Sequence, residues 1–269
     1  MQHFLVWIPR RRTVATTSAP DPETLAERAA RPLGYATRQR HMRRLLKPGD
    51  RLWFVGSDSD FGLPQPSLDA ELIVENVTED KGTLKARAGP SSRWLAWNDA
   101  SSLLTGLAFQ GPATNLSGER SLGVQLRTNR RLDAASAVLL QCQADILARR
   151  PALFISYKWR DASRMVGRLV QAAAAAGFAP WWDRWSAPRR LSRELEPTAD
   201  GELSAFLRGA IDASRAAIIV ATPNYGTGGT AVECESIRER GMPTLTLEFS
   251  ELESAPRLAD RLMDFRRRI

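Results

Sequence analysis

An α/β fold with a parallel sheet in the second half of the chain, preceded by a mixed α+β unit, is what this sequence predicts. Four short apolar runs between residues 152 and 249 each end in polar or glycine-rich residues and alternate with helical stretches, the pattern of βαβ units in a sheet buried on both faces. Residues 1–150 lack that alternation and show strand patterns set apart by turn residues. A chain of 269 residues is long enough for two separate cores, and the division falls between residues 150 and 151.

In the first part, His3–Ile8, Arg51–Val55, Ala70–Val74 and Leu84–Arg87 read as strands, rich in apolar, β-branched or aromatic residues. Lys47-Pro48-Gly49-Asp50 and Asp80-Lys81-Gly82 supply turns. One helix is expected over Pro22–Leu46, broken near Pro32-Leu33-Gly34, and Ala134–Arg149 is expected to form a closing helix and linker. Trp94-Leu95-Ala96-Trp97 fits a strand or a helix. Together these elements describe a small, mostly antiparallel barrel with helices.

In the second part, the strands are Leu153–Tyr157, Phe178–Trp182, Ala216–Ala221 and Pro243–Leu247. Asp161–Ala176 carries Met165, Val166, Leu169 and Val170 at helical spacing and stops at Gly177; Glu202–Ser214 repeats the pattern with Leu203, Phe206, Leu207, Ala210 and Ile211. Thr230 is expected to cap a third helix running through Ile237 toward Gly241, with Glu233 completing a capping box. A last helix, Leu258–Phe265, ends in Arg266-Arg267-Arg268, where positive charge suits the helix dipole. In such sheets ligands sit beyond the carboxyl ends of the strands, where the polar residues of this segment cluster.

Composition narrows the function classes. No apolar run is long enough to span a membrane, and Met1–Ile8 runs straight into Arg10-Arg11-Arg12, with charge on the wrong side for a secretory signal. Cys142 and Cys234 are the only cysteines, one per unit, which argues for a reducing compartment and a cytoplasmic protein. The net charge of +8 is unevenly shared: residues 1–150 hold 21 Lys and Arg against 15 Asp and Glu, and residues 151–269 hold 17 against 15. A basic first unit suits a polyanionic partner. There is no metal-spaced His/Cys cluster, phosphate-loop glycine motif or Ser-His-Asp arrangement, so no metal cofactor is expected.

Phe154-Ile155-Ser156-Tyr157-Lys158-Trp159-Arg160-Asp161, Trp181-Trp182-Asp183-Arg184-Trp185 and Ala221-Thr222-Pro223-Asn224-Tyr225 resemble, in order and spacing, the strand ends of bacterial Toll/interleukin-1 receptor (TIR) domains. The resemblance covers about 115 residues and implies a flavodoxin-like parallel sheet. It also implies cleavage of the N-glycosidic bond of NAD by a glutamate near the start of the helix after the third strand, with self-association of the domain. Chemically, a positively charged oxocarbenium-like centre develops on the ribose and a nearby carboxylate lowers its energy.

Two glutamates compete for that role. Counting back from Gly241-Met242-Pro243 favours Glu233 and counting forward from Tyr225 favours Glu235, and the two flank Cys234 by about 100° on either side. Thr230-Ala231-Val232-Glu233 reads like the family's tryptophan-x-x-x-glutamate stretch with Gly229 in the tryptophan position, which favours Glu233 and departs from the family at the stacking residue. Ser156, Tyr157, Lys158, Arg160, Trp182 and Tyr225 are the expected NAD contacts: hydroxyls for ribose, cations for phosphate, an aromatic face for a ring. Packing and solvated charge are the alternatives for the same residues. The long Arg184–Gly201 connection reads as a loop that gates the site.

The Lys47–Phe54 turn and strand, with the strand of Trp7, resembles PUA-type barrels of the EVE group. That resemblance implies recognition of a nucleic acid or nucleotide-like ligand, with Trp7 and Trp53 as walls of an aromatic cage, Trp94 and Trp97 as further candidates, and Asn98, Asp99 and Ser57 as edge readers. The combined reading is a sensor and effector in one chain, an arrangement resembling anti-phage defence proteins, in which the TIR-like unit hydrolyses or cyclises NAD when clustered. A non-enzymatic adaptor that signals by self-assembly is the alternative. A nucleoside-processing enzyme would need a second carboxylate, for which Asp161 or Asp183 is placed.

Overall fold

The computed structural model describes residues 1–8, 33–58, 63–111, 116, 122–162, 165–186 and 201–269. Most of the described residues up to Arg149 form one compact unit, and Arg150–Ile269 belong to a second. The protein is mixed α/β, with a mixed sheet in the first unit and a separate parallel sheet in the second. Among the described residues, no helix is long and apolar enough to cross a membrane.

The first unit runs β1 (His3–Trp7), β2 (Gly34–Thr37), α1 (Arg40–Leu45), β3 (Arg51–Asp58), β4 (Leu63–Asp80), β5 (Thr83–Ala88), β6 (Arg93–Trp94), α2 (Ser101–Thr105), α3 (Leu122–Gln125), β7 (Arg130–Arg131) and α4 (Ala134–Ala148). Its sheet has the order β2-β5-β4-β3-β1-β7, with β6 added to β4. The β1/β3 pair is parallel, while β1/β7, β2/β5, β4/β5 and β4/β6 are antiparallel. Among the described residues the pairings are mostly antiparallel, as expected, and none joins β2 to β7 to close a barrel.

Side-chain alternation on the central strands builds two cores. Leu5, Trp53 and Val55 face one side and pack with Leu140, Ala144 and Leu147 of α4; Phe4, Val6, Leu52 and Phe54 face the other and pack with Met42 and Leu46. Of the expected Pro22–Leu46 helix, residues 22–32 lie outside the described residues, and the described part holds α1. Gly34–Thr37 is a strand instead, because the edge of β5 offers it a full ladder from Gly34 opposite Arg87 to Thr37 opposite Leu84. Both expected turns form. Asp50 closes the first by accepting from the backbone of Lys47 at 2.9 Å and Gln2 at 2.6 Å. Lys81 (φ 47°) and Gly82 (φ 74°) make the two-residue hairpin loop between β4 and β5, whose positive φ values match the strand twist.

An ion cluster built around one buried carboxylate ties this sheet to α4. Glu71, 1% exposed, accepts from Arg51 and, at 3.0 Å, from Nε of Arg93. Arg93 also reaches Asp145 at 2.5 Å, and Arg51 donates to Gln141, both on α4.

The second unit runs β8 (Ala152–Tyr157), α5 (Trp159–Ala162), α6 (Val166–Ala175), β9 (Ala179–Trp181), α7 (Asp183–Ser186), α8 (Glu202–Asp212), β10 (Ala216–Ala221), α9 (Gly229–Glu239), β11 (Thr244–Glu248), a 3₁₀ turn over Phe249–Glu253 and α10 (Ala255–Arg268). All pairings are parallel, in the order β11-β10-β8-β9. The chain steps from β8 to β9 in one direction and from β9 through β10 to β11 in the other. Right-handed crossovers then place α6 on one face and α8 and α9 on the opposite face. Phe154, Ala217, Leu207, Ile211 and Ile237 accordingly share one core, and Trp181 stacks on Phe154 at 4.9 Å. Phe178 meets Phe265 of α10 at 6.1 Å.

Removing the Glu71 carboxylate leaves two guanidinium groups without their shared partner. Glu71→Ala is expected to destabilise the first unit by roughly 3–5 kcal/mol. Urea unfolding followed by circular dichroism checks this; a midpoint equal to wild type overturns it.

Candidate active site

Strand order reverses between β8 and β10, and the crevice beyond their carboxyl ends is where a parallel sheet of this kind opens to a ligand. Ser156 lies opposite Ile219 in the β8/β10 register, on the face that carries Phe154 and the α8/α9 core. It is fully buried. Its hydroxyl donates to Oε2 of Glu233 on α9, and its oxygen lies 2.7 Å from the Tyr225 hydroxyl in the loop after β10. Tyr157, one residue on, faces the other way and donates to Asp183 Oδ1 at 2.7 Å. Adjacent hydroxyls at one strand end thus hold two carboxyl groups on opposite sides.

Glu233 is 8% exposed, and Glu235 is exposed on the outside of the same helix. Of the two candidates, only Glu233 is brought to the strand ends. Burial pushes its carboxyl up to about 8; the Ser156 hydrogen bond opposes that rise, the charge of Asp183 adds to it and Lys158 opposes it. Burial also raises the Tyr225 phenol above its ordinary value.

The expected capping box does not form. The helix starts two residues early, at Gly229, behind Gly228 at φ 58°, a conformation that favours glycine. Thr230 instead accepts from the backbone of Gly226 and donates to the carbonyl of Thr227, both at 3.0 Å, tightening the loop from within. Glu233 is thereby free to turn toward Ser156. Lys158 closes the loop from outside, donating to the Thr227 carbonyl at 2.8 Å and its hydroxyl at 3.2 Å. Asn224 donates to Asp161 at 3.3 Å, tying the loop after β10 to α5.

Other expected NAD contacts are placed differently. Trp182 is 2% exposed and Trp181 packs between Phe154 and Phe206, so these rings serve the core and neither offers an open stacking face. Tyr157 is 5% exposed and held by Asp183. The side chain of Arg160 lies outside the described residues, as does most of the Arg184–Gly201 connection. Among the described residues, no group of three or more His, Cys, Asp or Glu side chains is arranged to hold a metal ion.

In the first unit, Trp7 and Trp53 do not form a cage. Trp53 is fully buried, stacks on His3 and donates to its Nδ1 at 3.1 Å. Trp97 is buried as well, and Asn98 is structural, bonded to both the N–H and the carbonyl of Leu68. Asp99 accepts from the backbone of Ser101. Trp7 is only partly buried and lines a cleft of ≈ 300 Å³ with Tyr35, Thr37, Gln39, Arg127 and Asn129. Gly123 lies flat on the indole, where a β-carbon would sit 3.3 Å from Nε1. Asn129 donates to the Tyr35 hydroxyl and, through its backbone, to Gln39 at 3.1 Å. No sequence pattern marked Tyr35, Gln39 or Asn129: Asn129 is 94 residues from Tyr35 and 90 from Gln39, and they meet only through the fold.

Comparison with family models, curated proteins and solved structures finds no match to the chain.

The raised Glu233 carboxyl makes stability depend on pH with a definite sign. Between its ordinary value of 4.5 and about 8, the folded protein holds a proton that the unfolded chain has released, so this group lowers stability as pH rises through that window. Glu233→Gln cannot titrate. Its melting temperature should match wild type near pH 4.5 and exceed it progressively up to pH 8, the gap in stability growing by at most about 1.4 kcal/mol for each step of one in pH. Parallel curves across that range overturn the assignment of a buried, protonated carboxyl.

Proposed function

We propose that residues 151–269 cleave the N-glycosidic bond of NAD. The observation that carries the reading is a single buried carboxyl, Glu233, at the strand-order reversal of a parallel sheet, with hydroxyls and Lys158 around it. Its position after the third strand of the unit is that of the catalytic glutamate in the TIR domains that the strand-end motifs resemble. As the bond between ribose C1′ and the nicotinamide nitrogen breaks, its electrons neutralise the pyridinium ring, which leaves without needing an acid. Positive charge grows on C1′ and the ring oxygen, and the ionised Glu233 lowers the energy of that centre. Water then adds at C1′ and loses a proton, giving ADP-ribose; attack by an adenine nitrogen gives a cyclic product instead. Gly229, in place of the family's tryptophan, leaves the departing ring without that stacking partner.

Glu233→Gln keeps size and removes charge, so nicotinamide release should fall by about ten-fold or more. Because the carboxylate forms only as pH passes about 8, kcat/KM in wild type should climb toward that pH. Chromatographic detection of nicotinamide checks both. No release from concentrated wild-type protein favours the reading of this unit as a self-assembling adaptor.

The first unit, on this proposal, is the recognition half, and its cleft favours a nucleotide-like ligand. Trp7 and Tyr35 offer aromatic surface, Gln39 and Asn129 amide groups, and the exposed Arg127 positive charge, with Arg40 and Arg44 exposed on the helix that follows Gln39. Titration of the full chain with a single-stranded oligonucleotide should show binding that weakens steeply with salt and is lost in Trp7→Ala but kept in Trp53→Phe. Equal binding by wild type and Trp7→Ala removes the cleft from the proposal.

A further inference from the structure

Glu233 poses a physical problem that its immediate partners solve. It is 8% exposed, so a proton leaving its carboxyl needs a path to water. Ser156 is fully buried and bonded to Glu233 Oε2 and to the Tyr225 hydroxyl, the second contact at 2.7 Å. Tyr225 is only partly buried, in the loop between β10 and α9. A serine hydroxyl has one proton and can give it in one direction at a time. With Glu233 ionised, Ser156 donates to the carboxylate and Tyr225 donates to Ser156. With Glu233 protonated, both bonds reverse.

We infer that Ser156 and Tyr225 are positioning residues for Glu233 that also form its proton path, a two-link chain that orients the carboxylate and connects it to solvent. The inference rests on the reading of Glu233 as the reacting carboxylate. Discharge balances simply: the Glu233 proton passes to the Ser156 oxygen, the Ser156 proton to the Tyr225 oxygen, and the Tyr225 proton to water. Each hydroxyl gains one proton and loses one, and the net product is a carboxylate and a hydrated proton. The phenol, held above its ordinary value by burial, is neutral before and after. The other charged or titratable groups that act on the Glu233–Tyr225 pair are Asp183 from α7, Lys158 from the end of β8 and Cys234 on α9 itself. Asp183 and Lys158 act on Glu233 through their charges, with opposite sign, and Ser156 is hydrogen-bonded to it.

The experiment uses the full chain and three variants: Ser156→Ala, Tyr225→Phe and the double variant. Ser156→Ala is expected to lower kcat about ten-fold with KM within about two-fold, and to move the rising limb of the pH profile upward, since the lost hydrogen bond favours the ionised form. Tyr225→Phe should shift both in the same direction by less. The double variant should equal Ser156→Ala, because Tyr225 acts only through Ser156. Additive effects, or a Ser156→Ala profile identical to wild type, overturn the chain. A second readout does not depend on catalysis: the infrared carbonyl band of protonated Glu233, identified by its absence in Glu233→Gln, titrated against pH in wild type and Ser156→Ala. If wild type releases no nicotinamide, the NAD reading fails while this band still tests the chain. If nicotinamide is released and the midpoint does not rise in Ser156→Ala, the chain fails and the NAD reading stands.

Discussion

The hydrogen bond between the Ser156 hydroxyl and the buried Glu233 carboxyl is the contact around which the second unit is arranged. Ser156 lies opposite Ile219 in a register that carries the last residues of β8 and β10 to the same level. The chain after β10 folds back so that Tyr225 reaches Ser156 and then turns sharply at Gly228 to begin α9. Gly228 has φ 58°, so any residue with a β-carbon is strained there, although that carbon would meet Lys158 Nζ at an ordinary contact of 3.5 Å. Shift any of these parts and Glu233 loses the only hydroxyl donor it has among the described residues.

Two buried glutamates show how surroundings divide structure from chemistry. Glu71 is gripped by the guanidinium groups of Arg51 and Arg93, which bind α4 to the sheet through Gln141 and Asp145. Full opposite charges at contact distance hold that carboxylate as a fixed joint. Glu233 receives a neutral hydroxyl instead, and its carboxyl is pushed up to about 8. A group balanced between two protonation states near neutrality is suited to chemistry in a way that a doubly ion-paired one is not.

The strands of the second unit are legible in the sequence because strands buried on both faces leave continuous apolar runs, as Ala216–Ala221 does. Helix α8 is equally plain from the spacing of Leu207 and Ile211, both buried. Gly34–Thr37 reads as helix and folds as strand, because four residues are too few to show a period and the free edge of β5 decides their state. The capping box at Thr230 and Glu233 is a sound local expectation. It loses to a tertiary partner, since Ser156 offers the carboxyl a hydrogen bond inside the protein.

By itself the sequence determined the alternation of strand and helix in the second unit and the set of polar residues that follow its strands. Those follow from local periodicity and turn chemistry, which neighbouring residues settle among themselves. Only the tertiary structure decided which of Glu233 and Glu235 meets the strand ends, since local helical geometry leaves them equivalent, and one side chain turns to a residue 77 positions away while the other is exposed. It alone sent Trp53 and Trp182 into cores and left Trp7 at the mouth of a cleft, since an aromatic residue in a strand carries no local mark of how far its ring lies from the surface.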